Sequence, residues 1–189
     1  MHITKTLIRL AMLWAVCLPA CSSAHEEAPL ADGLQLQYEW DLGGEVVTFD
    51  IAIRKDGEEH FLLDITAEGG EGESGKHTMR VDRCFRTEEG ELASMAGHPL
   101  WLPPSMREPG AEVVADGSIA MRRKGKTWEA WKVLVADGGV MLGTVEWYYE
   151  YKTGFFVGSH VESMGSAMRV KLVGTNVPGL KAAPRSFSG

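Results

Sequence analysis

Leu34-Gln35-Leu36-Gln37-Tyr38-Glu39-Trp40 alternates apolar and polar side chains at every step. Successive side chains of an extended strand point to opposite faces, so a period of two predicts a strand with one buried and one wet face, not a helix. Asp41-Leu42-Gly43-Gly44 follows as a turn, and Val47, Phe49, Ile51 and Ile53 resume the alternation. Lys55-Asp56-Gly57-Glu58 carries the Asp-Gly pair of a tight hairpin, whose central residues need positive φ. Phe61, Leu63, Ile65 and Ala67 alternate again. Residues 34–67 therefore read as three consecutive antiparallel strands.

The pattern continues outward from there. Gly69 to Gly75 is a glycine-rich loop, and His77 to Thr87 reads as a fourth strand with Met79, Val81 and Phe85 apolar. Leu92 to Gly110 breaks the alternation, because Pro99, Pro103, Pro104 and Pro109 cannot donate to a ladder. Leu100-Trp101-Leu102 in its middle is too apolar for a free loop, so this segment is expected to pack over an opening or an edge of the sheet. Strands resume around Asp116-Gly117, then at Ile119–Arg123, Thr127–Val135, Val140–Tyr151, Phe155–Glu162 and Ala167–Gly174. The total is about nine or ten strands without a long helix, which predicts an all-β antiparallel meander forming a barrel or half-barrel. A two-sheet sandwich is the alternative. Pro178, Pro184 and small residues predict a disordered tail over 177–189.

The N-terminus has a different character. Lys5 and Arg9 precede a nearly continuous apolar run from Leu10 to Ala20. That run is shorter than the roughly 20 residues that span a bilayer, and Pro19 ends a helix, so it suits an export signal better than a permanent span. Leu18-Pro19-Ala20-Cys21 resembles the lipobox of bacterial lipoproteins, with Pro19 where Ala or Ser is usual. The resemblance implies cleavage after Ala20 and lipid on Cys21. Residues 1–20 are then a signal peptide, 21–33 a flexible tether, and 34–176 a single β domain. The same resemblance implies the outer membrane, with the domain facing the periplasm, because Ser22 stands where an Asp commonly retains such lipoproteins at the inner membrane. An ordinary secreted protein beginning at His25 is the other reading.

Composition narrows the partners. The 19 basic and 26 acidic residues give a net charge of −7, and loss of Lys5 and Arg9 with the signal leaves −9. Such a balance repels phosphate backbones, so nucleic acid is not expected as a partner, and a polybasic membrane grip is not expected either. After cleavage only Cys21 and Cys84 remain, so with lipid on Cys21 no disulfide can form, and Cys84 reads as a buried inert thiol beside Phe85.

Motifs for catalysis are not found. Glu68-Gly69-Gly70-Glu71-Gly72-Glu73 is acidic where a phosphate cradle would be neutral or basic, and it lacks the order of a calcium loop. His25, His60, His77, His98 and His160 have no His or Cys at metal-ligand spacing, so no metal and no cofactor are expected. Ser159 and His160 are strand neighbours and face opposite ways. Glu146 and Glu150 share a strand face as expected of solvated alternation.

Aromatic residues are the suggestive set. Trp147, Tyr149 and Tyr151 share one face of a strand with Tyr148 opposite, and Trp128 and Trp131 fall on opposite faces of an earlier strand. The stretch Thr127-Trp128-Glu129-Ala130-Trp131-Lys132-Val133, with Trp147 to Gly154, is similar to periplasmic half-barrel proteins of the lipoprotein-carrier kind. That similarity implies a curved sheet around an apolar cavity and brings no catalytic residues. The expectation is a membrane-anchored envelope lipoprotein without enzymatic activity, binding an apolar or amphipathic small ligand. The alternative is an assembly or scaffold lipoprotein that contacts another envelope protein, and a hydrolase with a scattered site ranks third.

Overall fold

The computed structural model describes residues 27–69, 74–95, 98–107, 113–114, 118–135, 139, 141–163 and 166–182. Cys21, the signal segment and most of the glycine-rich loop lie outside them. Strands β1 (Leu34–Asp41), β2 (Val46–Asp56), β3 (His60–Glu68) and β4 (Ser74–Asp82) form one antiparallel meander. A crossing segment follows, with the short hairpin β5 (Ser94–Met95) and β6 (His98–Pro99) and a single 3-10 turn at Pro104–Met106. Strands β7 (Val113–Val114), β8 (Ser118–Lys124), β9 (Thr127–Val135), β10 (Met141–Glu150), β11 (Phe156–Ser163) and β12 (Ser166–Thr175) form a second meander.

Pairing of β1 with β12 joins the two meanders into one ten-stranded sheet, ordered β4-β3-β2-β1-β12-β11-β10-β9-β8-β7. The first and last strands thus sit near its centre. The sheet is all-β, antiparallel and open, since β4 and β7 find no further strand among the described residues. It is one layer of strands, not a sandwich of two. It also curls. On a flat sheet β4 and β11 would stand about 24 Å apart, five strand spacings. Yet Phe85, three residues past the end of β4, has its ring 6.2 Å from that of Phe155, which leads into β11. The result is a half-barrel.

Cross-strand partners share a face, so the register defines the inner one. Leu34, Leu36 and Tyr38 meet Ile53, Ile51 and Phe49, while Leu63 and Phe61 meet Met79 and Val81. Tyr38 also stands beside Leu172, and its hydroxyl donates to the Phe156 carbonyl at 2.9 Å. The crossing segment fills this face with Phe85, Leu100, Trp101 and Leu102, all essentially inaccessible. It is pinned by Leu102 N–H to Gly154 O (3.0 Å), Phe156 N–H to Leu100 O (2.9 Å) and Trp101 Nε1–H to Thr153 O (2.8 Å). Gly154 has φ +76°, and a Cβ there would come 2.5 Å from the Leu102 carbonyl oxygen, so only glycine admits this approach.

Three expectations change. The fourth strand ends at Asp82, not Thr87: the Asp82 carboxylate accepts from Cys84 N–H (2.8 Å) and Arg86 N–H (2.9 Å), and Phe85 adopts φ 62°. This polar turn outcompetes the ladder, and burial of the Phe85 ring offsets a left-handed strain of about 1–2 kcal/mol. Residues 177–180 do not behave as a loose tail, because Val177 and Leu180 are buried and Asn176 clamps β1, accepting from Gln35 N–H at 2.7 Å and donating to Gly33 O at 2.9 Å. At the other end the folded part begins before Leu34: Ala28 is buried and its N–H donates to Arg83 O at 2.8 Å.

Candidate ligand-binding face

Antiparallel pairing gives the sheet two rims. The near rim holds the start of β1, the ends of β2, β4, β8, β10 and β12, and the turns beside them. The crossing segment returns to this rim, where Trp101 bridges Phe155. Its cover reaches only the near half of the inner face. Toward the far rim, Trp40, Val47, Phe49, Trp147, Val161 and Met168 are all half-buried. They are contiguous. Trp40 pairs with Val47 and Val170, Val170 with Ser159, and Ser159 with Trp147, while Val161 pairs with Met168 and Val145. The Trp40 and Phe49 rings lie 5.5 Å apart. This apolar strip crosses β2, β1, β12, β11 and β10, about 19 Å at the usual strand spacing.

The aromatic pairs divide between faces. Trp128, Trp147 and Tyr149 are inward, and Tyr149 packs on Phe156 at 5.7 Å. Tyr148 and Trp131 are outward with Glu129 and Glu146. Tyr148 is nonetheless buried, opposite Gly158, which offers no side chain. Its hydroxyl donates to the Glu146 carboxylate. Burial raises the Tyr148 phenol, and the Glu146 hydrogen bond and the charges of Glu146 and Glu129 raise it further. Glu129 is only 3% exposed and is paired with Arg122 at 2.6 Å, whose guanidinium lies 4.9 Å from the centre of the Trp131 ring. Each carboxylate here has its own partner, Glu146 the Tyr148 hydroxyl and Glu129 the Arg122 guanidinium, which accounts for it.

The remaining sequence candidates scatter. Glu150 accepts from Lys152 N–H, Thr153 N–H and Thr153 Oγ1–H at 2.6–2.9 Å, so it holds the β10–β11 turn. Ser159 is buried on the inner face, and its neighbour His160 is outward with Nε2 3.4 Å from Glu162. His60 starts β3, His77 is exposed on β4, and His98 lies in β6. His25 falls outside the described residues. Cys84 is a half-buried free thiol in the Asp82 turn. Among the described residues no group of three or more His, Cys, Asp or Glu is placed to hold a metal.

A separate pocket of about 340 Å³ opens at the near rim, lined by Ala28, Leu30, Phe61, Lys55, Glu58 and Arg83, among others. Its charged walls and half-open shape suit an apolar ligand poorly. The strip on the inner face was beyond sequence reasoning in one respect. Alternation marks which residues face inward, but not how far the crossing segment reaches over them.

No known protein-family signature matches the chain, and no curated protein matches it. A solved structure, the 2.0 Å structure of the hypothetical protein CT021 from Chlamydia trachomatis, is similar with a TM-score of 0.40 and 8% identity, covering 84% of this chain and 94% of that one.

Proposed function

We propose that this protein is a non-catalytic envelope lipoprotein, anchored in the outer membrane through lipid on Cys21 and facing the periplasm, that binds an apolar or amphipathic small ligand on the far half of its inner face. The observation that carries this reading is the strip of half-buried Trp40, Phe49, Trp147, Val161 and Met168, left open where Phe85, Leu100, Trp101 and Leu102 fill the near part of the same face. A half-buried aromatic ring of this kind leaves on the order of 50 Å² in water, and covering it contributes about 1 kcal/mol. The test is fluorescence titration of residues 21–189, carrying Cys21→Ser, with N-phenyl-1-naphthylamine. Among the described residues the core side chains lie between Ala28 and Leu180, all within this form. Saturable binding is expected, weakened at least about tenfold, or 1.4 kcal/mol, by Val161→Asp with Trp147→Ala. Binding that does not saturate, or that ignores these changes, counts against the strip.

The scaffold reading has its own support. Strand β4 is a sheet edge whose residues 74–78 are all exposed, and such an edge can add a strand from another protein. Capture of an envelope protein that is lost when a proline replaces Thr78, with probe binding unchanged, would favour it.

A further inference from the structure

A net charge of −7 conceals a strong local asymmetry. At the near rim three pieces of chain converge: the β8–β9 turn, the β10–β11 turn and the last residues of the crossing segment. Tyr151 N–H donates to Lys126 O at 2.9 Å, Arg107 Nη1–H donates to Lys152 O at 2.9 Å, and the Trp128 and Tyr151 rings lie 5.2 Å apart. The Arg123 guanidinium stacks 3.8 Å from the centre of the Tyr151 ring. The convergence gathers Arg107, Arg123, Lys124, Lys126 and Lys152 on one end of the half-barrel, with Arg123, Lys124, Lys126 and Lys152 exposed.

These cations, like Lys55, Lys76 and Arg169 elsewhere among the described residues, lack the carboxylate partner that most of the other arginines have. Arg54, Arg80, Arg83, Arg86, Arg122 and Lys171 each have a carboxylate within 3.3 Å. None of the ion pairs of the described residues involves Arg123, Lys124, Lys126 or Lys152. The nearest acid of these turns, Glu150, is already taken up by Thr153 and the Lys152 amide. The acidic residues of the same rim lie on its other side, Asp56, Glu58 and Glu59 at the β2–β3 turn, Glu27 and Asp32 before β1, and Asp82 and Glu88 at and after the end of β4, where Arg80, Arg83 and Arg86 meet most of them.

We propose that this basic end of the near rim is a docking surface for anionic phospholipid headgroups. Two observations choose a membrane over other anions. The patch is a set of exposed lysines spread over two turns around stacked Arg123. And the described chain starts on the same rim, with residues 27–33 leading into β1. If the chain is tethered at Cys21, as proposed above, the tether draws this rim, not the far one, toward the bilayer. The inner-face strip then opens away from the membrane, toward the periplasm. The anchor supplies retention and the basic end supplies orientation.

The test separates docking from anchoring by using the unacylated form, residues 21–189 with Cys21→Ser, in vesicle flotation. The expected result is binding to vesicles of equal parts phosphatidylglycerol and phosphatidylcholine at low salt, and none to phosphatidylcholine alone. About 0.5 M salt, where the screening length is roughly 4 Å, should release it. Each basic side chain near an anionic surface is worth about fivefold in partition, so Lys124→Glu, Lys126→Glu and Lys152→Glu together should abolish flotation. The same positions as Gln should reduce it by at least about tenfold, and Glu58→Lys with Glu59→Lys should not reduce it. Equal binding to both vesicles, retention by the Glu and Gln sets, or absence of flotation on anionic vesicles would overturn the proposal. None of these outcomes bears on naphthylamine binding, so the ligand reading stands or falls separately.

Discussion

Tyr38 and Tyr149 are fully buried on the inner face, and burial lifts both phenols well above their ordinary value of 10.0; for Tyr149 the nearby Tyr38 adds to the rise. The folded chain therefore keeps both protons at pH values where the unfolded chain loses them. Below about pH 10 both states hold the protons and these groups leave stability independent of pH. Above it the unfolded state binds fewer protons, so stability falls as pH rises, by up to about 1.4 kcal/mol per unit for each tyrosine. Urea unfolding between pH 8 and 11 should show a decline setting in near about pH 10. Tyr38→Phe should make that decline shallower, while costing about 1 kcal/mol at neutral pH because the Phe156 carbonyl loses its donor. Identical slopes for the two proteins would mean that the Tyr38 hydroxyl reaches water.

The crossing segment is the element on which the fold depends most and that alternation describes least. Trp101 is inaccessible, bridges Phe155 through the backbone and donates to Thr153 O. Trp101→Ala should cost about 3–5 kcal/mol in urea unfolding, since a large cavity would open under the sheet. A loss below about 1 kcal/mol would mean the segment is a loose cover. Its place over the sheet was legible from Leu100-Trp101-Leu102, too apolar to be left in water among prolines. The strands were legible for a similar reason, because burial on one face imprints a period of two on residues 34–67. Other features leave no local imprint. The end of β4 is set by a carboxylate folding back onto the amides of Cys84 and Arg86, and Phe85, in phase with Met79 and Val81 past the single break at Arg83, hides it. Burial of Val177 and Leu180 depends on Asn176 meeting Gly33 and Gln35 from more than a hundred residues away. The candidate strip is half legible: alternation places Trp40, Phe49 and Trp147 each on one face of its strand, but how far the crossing segment covers that face is a tertiary fact.

At the scale of the molecule, pairing of β1 with β12 couples the chain's two ends at the middle of the sheet. Every other neighbouring pair in the sheet is local in sequence, so this single contact carries the long loop closure, and the crossing segment carries the chain from one edge to the other. Rearranging the chain tests that description. A permutant that starts at Glu91, runs to residue 182, passes through a short glycine-serine linker to residue 27 and ends at Gly90 would have sheet order equal to chain order throughout. The join runs between two segments held together six residues from each new end, where Asn176 Nδ2 donates to Gly33 O at 2.9 Å, and the cut falls in an exposed turn where Gly90 has φ 86°. Closing a loop of about 20 residues in place of one of about 140 removes roughly 2 kcal/mol of closure entropy. Refolding followed by tryptophan fluorescence should accelerate about tenfold or more, as expected when contacts become local. Equilibrium stability should drop modestly, by about 1–2 kcal/mol, for the severed Thr87–Glu91 hydrogen bond and the Arg86–Leu92 bridge. An unchanged or slower refolding rate would show that the late step lies elsewhere, in the docking of the crossing segment onto the inner face.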